Sequence, residues 1–238
     1  MEKFGFKRVL LKLSGETLLG EQLFGINQEA CERLADVLIR FHSLGIQVGV
    51  VIGGGNIFRG VNLKKMGVPR TPADHMGMLA TLLNAIALQQ ALMLKKIPVS
   101  LMSALECPKV AEPYHWTKAL KYLEEGHVVI FAGGTGNPYF TTDTAASLRA
   151  SEINADVLLK ATKVDGVYNK DPLLHLDALK YDNISYSQVL AEKLQVMDAT
   201  AVALCRSNQI PIFVFNMQHL FRESPEDLLN KGTWIQGQ

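Results

Sequence analysis

Two lysines close apolar runs in this chain, Lys12 in "RVLLKLSGE" and Lys160 in "DVLLKATK". Burial of a bare ammonium is costly unless a partner offsets it. For either lysine alone, an edge strand protected against aggregation is an adequate explanation. Two at equivalent strand ends suit a crevice where negative charge builds between two phosphates.

Glycine clusters supply the second signal. "GGGN" (53–56) follows an apolar run and leads to Arg59. It reads either as a flexible turn or as a row of bare N–H groups receiving an anion, with Arg59 adding charge. "FAGGTGNPYFTTDTA" (131–145) joins the apolar "HVVIF" to the helical "ASLRASEI". A plain connection rarely needs this composition. Asp143 or a neighbouring threonine can cap the following helix, while N–H groups and the Thr141 and Thr142 hydroxyls face a phosphate. Beside an anion, Asp143 must cap the helix, hold a lysine, or meet the phosphate through Mg²⁺. "VDGVYNKDP" carries two turn signals, Asp165-Gly166 and Asp171-Pro172, and alone reads as loop. Asp74 in "DHMGM" is placed to cap a long helix. His75 and His115 read as surface or hydrogen-bonded residues, Trp116 and Trp234 as packing residues.

The elements that must position these groups alternate along the chain. Strand-like runs span 8–13, 47–52, 98–103, 127–132, 156–161 and 211–216, with helical patterns near 28–43, 74–95, 115–125, 143–153 and 198–208. Continuous apolar strands separated by helices predict an α/β fold: a three-layer αβα sandwich around a mainly parallel sheet. "SPEDLLNKG" predicts a short helix capped by Ser224 with Pro225 at its first position. In open α/β sheets ligands bind beyond the carboxyl ends of the strands. The glycines, lysines and hydroxyls follow four of the six runs on that side. No long linker or repeat divides the chain, so residues 1–238 are expected to form one domain.

Bulk properties exclude several classes. A formal charge of +1 over 238 residues gives no basic footprint for nucleic acid. Cys31, Cys107 and Cys205 form no CxxC pair or disulfide framework, which suits a reducing cytosol. The six histidines show no metal-ligand spacing, so no protein side chain is assigned to a metal. The N-terminal stretch lacks the form of a secretory signal, since Lys12 interrupts a short apolar run. "MGMLATLLNAIALQQALML" (76–94) is almost long enough to span a bilayer, but Thr81, Asn84, Gln89 and Gln90 favour a core helix that also serves an oligomer interface. Neither GxxxxGK[ST] nor GxGxxG occurs, which sets aside a P-loop kinase and a dinucleotide-type dehydrogenase.

Taken together, "LLKLSGE", "GIQVGVVIGGGNIFRG", "DHMGMLAT", "GTGNPYFTTDTAA", "EINADVLLKATKVDGVYNKDP", "QVMDATA" and "PIFVFNM" resemble the amino-acid kinase family, from about Lys7 to Thr233. "LFGINQEACERL" and "LECPKVAEPYHW" are less similar. The resemblance implies ATP-dependent phosphorylation of UMP to UDP, in pyrimidine nucleotide biosynthesis, with Mg²⁺ carried by ATP. It implies an acceptor half over about 1–155 and an ATP-binding half over about 156–238, with phosphate loops from both. Lys12, Leu13, Ser14, Gly15, Gly55, Arg59, Thr162, Tyr168 and Asp171 would bind ATP. Gly54, Asp74, Thr135, Gly136, Asn137, Pro138, Tyr139, Phe140, Thr141 and Thr142 would bind UMP. Lys12, Lys160 and Asp143 would be catalytic, with Asp198 orienting the lysines. Gly20, Glu21, Gln22, Leu23, Phe24 and Gly25 match a segment linked to GTP activation, with Leu23 where the commoner form has glycine. The family also implies a cytoplasmic homohexamer inhibited by UTP.

The residues fit such chemistry. A phosphate monoester has a second pKa near ~6, so UMP is mostly dianionic at neutral pH and needs no general base. What remains is charge neutralisation and positioning. A family member with another acceptor, such as an amino acid or isopentenyl phosphate, and a non-catalytic nucleotide sensor are the alternatives.

Overall fold

The computed structural model describes residues 5–58 and 67–237. Its centre is a sheet in the order β4-β3-β5-β2-β1-β6-β10-β11-β9. The strands are β1 (Arg8–Leu13), β2 (Gln47–Ile52), β3 (Val99–Ser103), β4 (Glu112–Pro113), β5 (Val128–Ala132), β6 (Val157–Thr162), β9 (Asn183–Ile184), β10 (Ile212–Asn216) and β11 (Gly232–Ile235). All neighbours run parallel except β10 and β11. A small antiparallel pair, β7 (Val167–Tyr168) and β8 (Lys180–Tyr181), stands apart from it.

Alternation along the strands sends successive side chains to opposite faces. Val9, Leu11 and Leu13 of β1 join one core layer, beneath α1 (Gln28–Ser43) and α2 (Arg70–Leu94). Leu10 joins the other, beneath α3 (Trp116–Glu124), α4 (Thr142–Glu152), α5 (Tyr186–Ala191) and α6 (Ala199–Ser207). The short α7 (Met217–Arg222) and α8 (Pro225–Leu228) pack on the α1 side. Helix α1 shows the local logic: Asn27 accepts from the Ala30 N–H at its start, and Cys31, Leu34, Ala35 and Leu38 bury one stripe. The three-layer arrangement matches the sequence expectation.

Helix α2 is long and apolar enough to cross a bilayer by length and composition alone. Here Ala85, Leu88 and Leu92 are fully buried in the same core layer as β2 and β5. It begins at Arg70, after Pro69, with no side-chain cap. Asp74 therefore lies inside the helix rather than capping it. The reason is Pro69, which sets the start four residues before the aspartate. Trp116 also departs from expectation, being half exposed at the first turn of α3, whereas Trp234 packs against Phe6 and Phe213. His75 and His115 are exposed, and His115 bonds the Thr117 hydroxyl. Ser224 caps α8 as expected.

Chain order reverses at β1. Strands β2 to β5 lie on one side of it, and β6, β10 and β11 on the other. Such a switch point opens a crevice at the strand ends.

Candidate active site at the strand switch point

Lys12 and Lys160 are direct register partners across β1 and β6. Parallel partners in register point to the same face, here the face covered by α4. The Lys12 Nζ lies 2.7 Å from Asp143 Oδ1, and the Lys160 Nζ donates to Asp143 Oδ2 at 2.6 Å. The Lys12 contact is off-axis for a hydrogen bond, leaving Oδ1 paired by charge but without a directed donor. All three side chains are largely buried, with exposures of 12%, 7% and 15% for Lys12, Lys160 and Asp143. Two ammonium groups against one carboxylate leave one positive charge unbalanced.

The pKa shifts follow from this crowding. Burial pushes the Lys160 ammonium down, the like charge of Lys12 adds to that, and Asp143 opposes it; the result is about 8. Burial acts to raise the Asp143 carboxyl, yet Lys12 and Lys160 together outweigh it and hold it below its ordinary range. A lysine poised near neutrality and buried is costly for stability alone. It suits a site completed by incoming anions.

Asp143 can bridge because Thr141, not Asp143, caps α4. The Thr141 hydroxyl oxygen accepts from the Asp143 and Thr144 N–H groups at 3.0 and 3.3 Å. In the first turn Asp143 also meets the positive end of the helix. Asp198 lies behind this cap. It caps α6 through Ala201 and accepts from Thr141 at 2.5 Å and Thr144 at 2.9 Å. It reaches Lys160 through its field, not by contact. Its contacts are to the threonine cap of the helix that carries Asp143.

One cavity is lined by both lysines of this cluster, and a second reaches Thr141 and Thr142, next to Asp143 in the chain. A cavity of about 680 Å³ is lined by Lys12, Ser14, Lys160, Thr162, Tyr168 and Asp171. Lys163, Leu174 and Val196 line it too, none of them singled out in the sequence. The Lys163 ammonium pairs with Glu16 at 2.8 Å. Leu13 is absent from this lining, since its side chain is buried on the opposite face. Ser14 caps the turn Gly15–Leu18 at the strand end.

A second cavity, of about 180 Å³, is lined by Gly54, Gly55, Asp74, Thr135, Asn137, Phe140, Thr141 and Thr142, with Thr81 beneath. Gly55 belongs here and not to the larger cavity, because the glycine loop turns toward α2. Gly136, Pro138 and Tyr139 complete the loop without lining the space. Gly133, Gly134 and Gly136 all take left-handed φ, of 77°, 60° and 81°, which explains the glycine content. Tyr139 does so as well, at 73°, held by its N–H to Asp74 Oδ2 at 2.7 Å. Asp74 is further paired with Arg70 at 2.6 Å. Arg59 lies outside the described residues. Asn56 does not offer its side chain to the cavity but turns inward.

In the segment Gly20 to Gly25, Leu23 and Phe24 are exposed, and the Gly25 N–H donates to the Asn56 carbonyl at 2.9 Å. Among the described residues, no three His, Cys, Asp or Glu side chains gather as a metal site.

A mainly parallel sheet with a reversal at β1, and two lysines lining a cavity there beside a glycine-rich loop, suit a phosphotransferase scaffold. The profile of the amino acid kinase family matches residues 7–216, and the chain belongs to that family. A uridylate kinase of Protochlamydia amoebophila is 70% identical over 223 residues, covering 94% of this chain and 89% of that protein. One from Legionella pneumophila is 53% identical over 90% of this chain and 87% of its own. The crystal structure of UMP kinase from Bacillus anthracis superposes with a TM-score of 0.90 at 38% identity, covering 97% and 96% of the two chains. That of Ureaplasma parvum UMP kinase gives 0.89 at 35% identity, covering 97% and 99%.

Proposed function

We propose that this protein is a nucleoside monophosphate kinase that transfers the γ-phosphoryl group of ATP in line to UMP, yielding UDP and ADP within pyrimidine nucleotide biosynthesis. The observation that carries the reading is the Lys12–Asp143–Lys160 cluster, whose lysines line the larger cavity and whose aspartate directly follows Thr141 and Thr142 of the smaller one. The larger one suits ATP, lined by Lys12, Ser14, Thr162, Tyr168 and Asp171, with Gly15 following Ser14. The smaller one suits UMP, with Gly54, Gly55, Asp74 and the run Thr135 to Thr142. Residues 1–238 act as one domain, the acceptor half over about 1–155 and the donor half over about 156–238. The lining residues divide along this line, save for Lys12 and Ser14, which reach the donor from the other half.

The UMP dianion attacks without a general base. The ammonium groups of Lys12 and Lys160 neutralise charge shared between the attacking and leaving oxygens, and Asp143 holds both aimed at one point. Both Asp143 oxygens face ammonium groups, so the carboxylate is engaged by Lys12 and Lys160. Mg²⁺ fits as a companion of the ATP phosphates, where it supplies further charge neutralisation.

Retention of both lysines at one register favours catalysis over a sensor. Relatives at 70%, 51% and 53% identity all carry the name uridylate kinase, which favours UMP over another acceptor. The apolar residues Leu79, Leu83, Met93 and Leu94, about half or more exposed on α2, support association of copies, for which a homohexamer is the form proposed. Three separated free cysteines suit the cytoplasm. The segment Gly20 to Gly25 is the candidate site for GTP as activator, and UTP is the candidate inhibitor. Initial rates with UMP, CMP, dUMP and N-acetylglutamate, each with and without GTP, test the reading. Rapid UDP formation is expected. Turnover of N-acetylglutamate with none of UMP would overturn it.

A further inference from the structure

Helix α2 carries three polar side chains on one face, each holding a different part of the candidate site. Asp74 accepts from Tyr139 N–H, the Thr81 hydroxyl accepts from Gly133 N–H at 2.9 Å, and Asn84 lies beneath the glycine loop. The spacings of seven and three residues keep them near one stripe of the helix. The deepest of them is the most constrained. Asn84 is fully buried and Asn56 is 4% exposed.

Their amides face each other. The Asn84 Nδ2 donates to Asn56 Oδ1 at 2.7 Å, and the Asn56 Nδ2 donates to Asn84 Oδ1 at 2.9 Å. The remaining N–H of Asn84 goes to the Gly53 carbonyl at 2.7 Å, and that of Asn56 to the Gly25 carbonyl at 2.8 Å. All four amide N–H groups are therefore used. Both outer partners are carbonyls, which fixes the orientation of each amide. From the other side, Gly15 presses onto the pair. A Cβ added there would sit 2.3 Å from Asn56 Oδ1 and 2.5 Å from the Gly53 carbonyl oxygen. The Gly53 N–H in turn donates to the Leu13 carbonyl at 2.9 Å. The strand end after β1 and the loop after β2 thus rest on one hydrogen-bonded unit.

We propose that the Asn56–Asn84 amide pair is a positioning device for phosphoryl transfer: it fixes the spacing between the Ser14–Gly15 turn on the donor side and the Gly53–Gly55 loop on the acceptor side. The inference rests on the kinase reading above. Most of the donor cavity lies elsewhere, over residues 160–174 and 192–196, so ATP affinity does not depend on the pair. Alignment of the two phosphates does.

The test uses Asn84→Asp in the full chain, assayed for UDP formation across pH with thermal melts in parallel. An ionised carboxylate opposes the Gly53 carbonyl and Asn56 Oδ1, whereas the protonated acid restores a donor in nearly the same shape. At about pH 8, kcat is expected to fall at least about tenfold with the KM for ATP within about threefold. The ratio of variant to parent kcat should recover as pH falls toward about 6, because burial and facing oxygens raise the introduced acid. A role confined to stability would lower the melting temperature and leave kcat untouched below it. Asn84→Ser, which is shorter and admits a bridging water, provides the second variant and should show the same kcat loss without the pH recovery. An Asn84→Asp kcat within about twofold of the parent, or a deficit that ignores pH, overturns the proposal. If Asn84→Asp does not fold, an unchanged kcat in Asn84→Ser overturns it, and failure of both to fold does so too, by assigning the pair to stability. A parent chain that makes no UDP overturns the kinase reading itself, which separates the two failures.

Discussion

Two buried polar clusters flank the end of β1, and they are built on opposite terms. On the α4 face, Lys12, Asp143 and Lys160 are charged, crowded and one negative charge short of balance. On the α2 face, Asn56 and Asn84 are neutral and use every amide N–H. The first is costly to the folded chain and is completed only when anions arrive. The second is complete as it stands and ties the loop after β2 to the turn after β1. In the proposed mechanism the charge assigned to chemistry is left unsatisfied, while the frame proposed to aim it is satisfied in full.

The sharpest way to break this contrast is Lys160→Met. With the buried ammonium replaced by a side chain of similar volume, kcat for UDP formation should fall by at least about 10²-fold. The melting temperature should hold or rise, since an apolar group replaces a poorly solvated charge. Calorimetric titration with ATP should still show binding. An unchanged kcat would remove the functional half of the comparison.

Asp143→Asn should do the reverse to stability. Two ammonium groups then face each other without a carboxylate, and destabilisation of about 3 kcal/mol is expected in chemical denaturation. The alkaline limb of kcat/KM should also move to lower pH, because one lysine sheds its proton more readily. A limb that stays in place would show that Asp143 does not hold the lysine charges.

The mildest probe is pH on the parent chain. Lys160 has a folded pKa of about 8 against an ordinary 10.5, so kcat/KM should fall as pH rises through about 8. In kcat the limb should lie higher, because bound phosphates favour the ammonium. Stability should move the opposite way. Below pH 8 both states are protonated and the full cost of the buried charge is present. Between about 8 and 10.5 the folded chain releases its proton first, so this contribution to stability rises, and Lys160→Met should abolish that rise. For Asp143 the lowered pKa stabilises above the ordinary 3.8, an effect lost as pH falls through the folded value. A stability curve flat across the alkaline window would place the Lys160 charge in solvent-like surroundings.

Much of the fold was legible in the chain. The predicted strands 8–13 and 47–52 are those observed, and the others differ by a residue at their ends. The short strands β4, β7, β8, β9 and β11 were not anticipated, since two to four residues carry too little periodicity to register. The glycines after β5 marked more than a plain connection, and the structure shows why they are needed. Asn84 gave a fainter sign, an amide in an otherwise apolar helix, noticed only as an argument against a membrane span. Its partner Asn56 lies 28 residues away, beyond the reach of any local pattern.

The sequence by itself determined which segments are strands and helices, and that cations and glycines cluster at strand ends, because periods of 2 and 3.6 residues and the costs of burial act locally. Tertiary structure alone decided that Lys12 and Lys160 are register partners, that one aspartate serves both, that Asp198 steadies the threonine cap, and that Asn56 turns inward. Those outcomes depend on which strand lies beside which and on how closely a helix covers them. Such contacts join residues far apart in the chain, and only the closing of the whole sheet can fix them.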